Sequence, residues 1–223
     1  PTVTPTPSPT LTPTATSVPL QERTLFEDSF VDNRNGWDVG TALPCLHRFW
    51  FADDGYHSDG VSVNYICTTG PSVKVTLPED AKGFVYELEM TLLEVTDPKA
   101  TVFLFPSGHR TGTYSVDLRA DGTFILWCYI DRLTLTSCTP SSKGKYDQLA
   151  VGRRASVKIK CDPTGIEFWI DEHRLLSLRH SEALPNQGIA FSCANSCRGI
   201  SLSAASKAHV VYHYIYLAAL VPP

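Results

Sequence analysis

After about residue 22 the chain alternates apolar and polar residues with a period of two, as in strands with one face on a core and one on water. Ala155-Ser-Val-Lys-Ile-Lys-Cys161 and Ile166-Glu-Phe-Trp-Ile170 are the clearest cases, joined by Asp162-Pro-Thr-Gly165. Similar runs predict strands over 24–30, 49–52, 61–67, 72–77, 84–93, 100–105, 113–118, 124–130, 174–178, 188–192 and 210–217. Asp54-Gly55, Asp59-Gly60 and Asp121-Gly122 supply hairpin-type turns between them. No run carries the helical period. So many short strands in one domain imply an all-β, two-sheet antiparallel sandwich. A β-propeller would need a repeat of about 40 residues, and none recurs.

Residues 1–22 break this pattern. The first twenty carry no charge and are mostly Pro and Thr. Proline lacks an amide donor and fixes φ, so the segment favours extended polyproline II and forms neither helix nor sheet. It reads as a stalk or linker before a 23–223 domain. Thr4, Thr6, Ser8, Thr10, Thr12 and Thr14 are its candidate O-glycosylation sites. Such a stalk points to an extracellular or cell-surface setting. The formal net charge of −4 gives no basic footprint for nucleic acid. Within the 23–223 domain, the uncharged stretch 209–223 alternates like a strand and is shorter than the ~20 apolar residues of a membrane helix.

Seven cysteines beside a single methionine fit an oxidising compartment. Cys193 with Cys197, Cys128 with Cys138, and Cys45 with Cys67 are candidate disulfides, which leaves Cys161 over. That thiol is either buried and free or an intermolecular bridge. Only 193–197 has a short ligand-like spacing, so no metal site is expected. His209 and His213 share a strand face ~13 Å apart, too far for one ion, and read as hydrogen-bonded spacers.

Leu25-Phe-Glu-Asp-Ser-Phe30 followed by Asn35-Gly-Trp37 resembles the opening of laminin-G/concanavalin-A-like jelly-roll domains. The similarity is strongest to the DUF1080 (3-keto-disaccharide hydrolase-like) family of bacterial extracellular modules. Val85-Tyr-Glu-Leu-Glu-Met90 resembles its long central strand, and Tyr114 to Phe124 its hairpin. The run from Val157 to Leu176 resembles its strand–turn–strand, where Asn-Gly is the usual turn. Gly188-Ile-Ala-Phe191 and the 210–217 strand complete the resemblance. It implies a jelly-roll sandwich. Relatives often end on Phe-Asp-Asn-Phe, whereas this chain has Tyr212-His-Tyr-Ile215. That departure argues against a calcium site from the first and last strands, despite Glu27 and Asp28, and no other cofactor is expected.

The chemistry-bearing residues are aromatic and acidic. Glu87 and Glu89 leave one strand face about 6.6 Å apart at the backbone, a separation suited to paired carboxylates in glycoside hydrolysis. The third carboxylate of catalytic glucanases of this fold, in a Glu-x-Asp-x-x-Glu pattern, is missing, and no Gly-x-Ser-x-Gly elbow occurs. Trp127, Tyr129 and Trp169, with Tyr212 and Tyr214, are expected on strand faces away from the core, beside Glu87 and Glu89. Rings next to carboxylates suit a sugar, which offers a flat apolar face and hydroxyls. The leading reading is a non-catalytic extracellular module that binds carbohydrate or an extracellular protein. The alternatives are a structural subunit that self-assembles through its N-terminal segment, and a glycoside-processing enzyme.

Overall fold

The computed structural model describes residues 19–43, 46–60, 67–69, 71–73, 75–95, 101–106, 111–119, 121–131, 136–137, 142–179, 200–204 and 208–223. The candidate glycosylation sites Thr4 to Thr14, Cys45, Cys138, Cys193, Cys197 and the expected 188–192 strand lie outside them. Strands are numbered in chain order. One sheet holds nine: β1 (Gln21–Asp28), β2 (Gly40–Ala42), β3 (His47–Ala52), β4 (Gly55–Asp59), β6 (Gly83–Val95), β12 (Arg154–Asp162), β13 (Gly165–Ile170), β14 (His173–Arg179) and β16 (Ala208–Val221). The other holds seven: β5 (Cys67–Thr69), β7 (Thr101–Pro106), β8 (Thr111–Arg119), β9 (Thr123–Asp131), β10 (Thr136–Ser137), β11 (Ser142–Lys145) and β15 (Ile200–Ala204).

Among the described residues there is no helix, and every strand pairing is antiparallel. The expected two-sheet sandwich is the fold. The larger sheet runs β14-β13-β12-β6-β16-β4-β3-β2, with β1 also on β16. The smaller runs β10-β9-β8-β7-β15-β5, with β11 also on β9.

Period-two alternation sends Phe84, Tyr86, Leu88, Met90 and Leu92 of β6 inward, with Ala155, Val157, Ile159 and Cys161 of β12. They share one core with Val116, Leu118, Phe124 and Leu126 of the smaller sheet. Phe124 meets Phe168 across the layers, ring centres 5.2 Å apart. Burial of this apolar surface is what holds the sheets together.

Three differences from the sequence reading have physical causes. First, β1 starts at Gln21, so Gln21 and Glu22 pair with Val221 and Leu220 and belong to the sheet. Second, no strand forms among the described residues of 72–77; the Ser72 amide bonds the Asn35 and Gly36 carbonyls instead. Third, Cys161 is fully buried and disulfide-bonded, so it is not the leftover thiol; its partner's side chain lies outside the described residues.

The opening Asp28 to Trp37 segment is a structural plug. Buried Asp28 accepts from the Phe30 amide at 2.8 Å, Asn35 Nδ2 at 2.7 Å and Trp37 Nε1 at 2.8 Å. A side chain at Gly36, whose φ is +66°, would collide with Ser72. Trp37 then packs among Phe26, Phe30 and Tyr56. With its oxygens engaged by three N–H donors, Asp28 is committed to this loop.

Candidate functional site

The outer face of the nine-stranded sheet collects most of the chemistry. Register places Trp169 of β13 beside Lys158 of β12, which in turn sits beside Glu87 of β6 and then Tyr216 of β16. The next row holds Ser156, Glu89 and Tyr214. Trp169, Glu87, Glu89 and Tyr214 therefore come together on one face.

Tyr212 does not join them. An extra residue, His213, bulges out of β16 between Tyr212 and Tyr214, so the alternation changes phase there. Tyr212 points into the core, fully buried, and burial raises its phenol pKa well above the ordinary value. Its assignment to a binding face is overturned. Trp127 and Tyr129 belong to β9 of the smaller sheet, so they do not share the Trp169 face; their backbones alone are described.

Each acidic candidate has a partner. Glu87 Oε1 accepts from Lys158 Nζ at 2.5 Å, and Glu89 pairs with Arg154. Tyr214 donates to Glu27 at 3.0 Å, and burial together with that bond pushes the phenol up to about 12. Arg174 bonds Glu167 at 2.9 Å and sets its guanidinium 5.7 Å from the centre of the Trp169 ring, bracing the indole.

Beside Trp169 the surface is hollowed. Depressions of about 450, 340 and 190 Å³ adjoin, because the first two share Glu22 and Lys160 and the last two share Lys158, Trp169 and Glu172. Together they form a groove from Pro19 and Leu220 to Ser156 and Glu172. Six residues of β12 at ~3.3 Å each make it about 20 Å long. Sequence reasoning missed Lys158, Lys160, Glu22 and Glu172 as lining residues. Strand alternation was the available signal for the two lysines; nothing local marked Glu22 or Glu172.

A second cluster occupies the far end of the same face. His57 Nε2 lies 2.8 Å from Asp54 Oδ1, and His57 Nδ1 lies 2.9 Å from His209 Nε2. His213 bonds Thr91 Oγ1 and the Asp54 carbonyl. Trp50 stacks on His57 with ring centres 4.8 Å apart. Burial and then the neighbouring His57 lower the pKa of His209. These nitrogens bond one another and neighbouring oxygens, so the histidines act as spacers that tie β4 to β16. Among the described residues no group of three or more His, Cys, Asp or Glu could hold a metal ion, and no helix is long and apolar enough to cross a membrane.

No protein-family model matches the chain, and no curated protein matches it. Solved structures do. A protein of unknown function with a galectin-like fold from Bacillus subtilis superimposes with a TM-score of 0.62 at 13% identity, over 92% of this chain and 100% of that one. Bacillus licheniformis beta-glucanase gives 0.58 at 11%, over 88% and 99%. The carbohydrate binding module CBM66 from Bacillus subtilis gives 0.53 at 12%, over 82% and 95%. At such identities the likeness is one of fold: this chain is similar to galectin-like jelly-roll sandwiches.

Proposed function

We propose that the protein is a non-catalytic, extracellular carbohydrate-binding module whose ligand lies in the β12 groove with a sugar ring on Trp169. The observation that carries this reading is a half-buried indole in an open groove on a sheet face, flanked by hydrogen-bonding side chains. Two of the solved neighbours bear carbohydrate-directed names, a carbohydrate binding module and a beta-glucanase, which supports the ligand class. Against a hydrolytic role stands the pairing of both Glu87 and Glu89 with cations. Glycoside hydrolysis needs both carboxyl groups free to reach the glycosidic bond, and here each is held in an ion pair. The Pro/Thr-rich residues 1–18 would serve as its stalk, and kinship with the DUF1080 group rests on the residues quoted above.

Affinity electrophoresis through gels containing neutral, acidic and amine-bearing polysaccharides tests the proposal. At least one polysaccharide should retard the protein, and Trp169→Ala should abolish the retardation while unfolding at an unchanged denaturant concentration. Retardation that survives Trp169→Ala, or none on any polysaccharide, would overturn it.

A further inference from the structure

The charges lining the groove do not balance. Lys158 is paired with Glu87 and Arg174 with Glu167, while Lys160 faces Asp162 at 3.9 Å. Glu22 and Glu172 also line the groove, are exposed, and have no hydrogen-bond or ion-pair partner among the described residues. Each cation is thus already matched, and two carboxylates remain unmatched around the Trp169 indole.

Glu172 also sits where its side chain is a conformational burden. It and Asp171 form the two-residue turn between β13 and β14, with φ of +65° and +48°. That left-handed region favours glycine or asparagine, and Asn-Gly or Asp-Gly is the ordinary choice for such a turn. Asp171 is held there by local bonds: its carboxylate accepts from the Ser156 amide at 2.9 Å and from Arg153 at 3.0 Å. Glu172 has no comparable anchor among the described residues, and it lines the two depressions that contain Trp169.

We infer that the groove selects sugars carrying a protonated primary amine, as in glucosamine-type polymers. The inference rests on the carbohydrate reading above and adds the ligand's charge. An ammonium beside an indole gains cation–π attraction, and the free carboxylates of Glu172 and Glu22 supply its counter-charge. A neutral sugar would offer those carboxylates hydroxyl hydrogen bonds but no counter-charge. A uronate would meet them with like charge, since the lysines are already engaged.

The test titrates the full chain, at pH 6.5 and low salt, with β-linked glucosamine oligomers, their N-acetylated counterparts and uronate oligomers. The amine resembles an α-amino group and is protonated at that pH. The glucosamine oligomer should bind about tenfold more tightly than the N-acetylated one, roughly what two partly exposed ion pairs supply. Glu172→Gly and Glu22→Gln should each reduce that preference, and added salt should erode it. Glu172→Gly should also melt about 2 °C higher, because glycine relieves the turn, which separates lost selectivity from lost folding. Trp169-dependent binding without amine preference, or preference unchanged in Glu172→Gly, overturns this inference and leaves the carbohydrate reading standing. Absence of binding to all three oligomers overturns this inference, and overturns the carbohydrate reading as well only if no polysaccharide gel retards the chain.

Discussion

Two tryptophans of this sandwich stand beside carboxylates, and they differ in what those carboxylates do. Trp37 is 2% exposed and donates Nε1–H to Asp28, whose other oxygen interactions close the 28–37 loop. Trp169 is half-buried on the outside of the larger sheet, and the exposed Glu22 and Glu172 beside its groove are unmatched among the described residues. The first grouping has its polar needs met within the chain, as stable interiors require. The second leaves them open, as a surface awaiting a ligand does. Residue type alone does not separate the two; hydrogen-bond completion does.

Asp28→Ala should break the inner grouping most severely. It orphans two buried donors and the part-buried Asn35 amide, at ~1 kcal/mol each, so urea unfolding should report a loss of about 3 kcal/mol. A loss under about 1 kcal/mol would mean that the loop is held by its aromatic packing alone.

Mild acid should act next, and more weakly. Burial lowers the pKa of His47, and burial with His57 lowers that of His209, both below the ordinary 6.5. The unfolded chain then binds more protons than the folded one in this range, so stability falls as pH drops below about 6.5. Urea midpoints between pH 7.5 and 5.5 should decline, and His209→Gln should flatten the decline. A flat profile in the parent would remove both histidines from the account.

Lys158→Gln should have the smallest effect. Its bond to Glu87 is partly solvent-exposed, so stability should change by no more than about 0.5 kcal/mol on the same urea assay. A larger loss would mean that the groove's ion pairs are part of the scaffold, and would blur the contrast between the two tryptophans.

The sandwich was legible because period-two alternation is local. Strands such as Arg154–Asp162 and Gly165–Ile170 advertise their buried face residue by residue. β4 (Gly55–Asp59) escaped notice because its polar His57, Ser58 and Asp59 disguise a buried central strand. Sheet membership was not legible either. Trp127 and Trp169 carry the same local pattern, and only long-range pairing assigns them to different sheets. The Tyr212 error has one cause: a single inserted residue at His213 reverses inside and outside for what precedes it. Glu22 and Glu172 line one depression only through the order β13-β12-β6-β16-β1, which no segment of the chain announces.

The pairing of Gln21 with Val221 has a mechanical consequence. The outermost strands of the domain in chain order run antiparallel, and their outer ends leave side by side at the same rim of the sheet. A load pulling those ends apart would therefore peel β1 from β16 one hydrogen bond after another, instead of shearing the whole row at once. Under tension the module would yield first at this rim, where Pro19, Leu20 and Leu220 form the mouth of the groove.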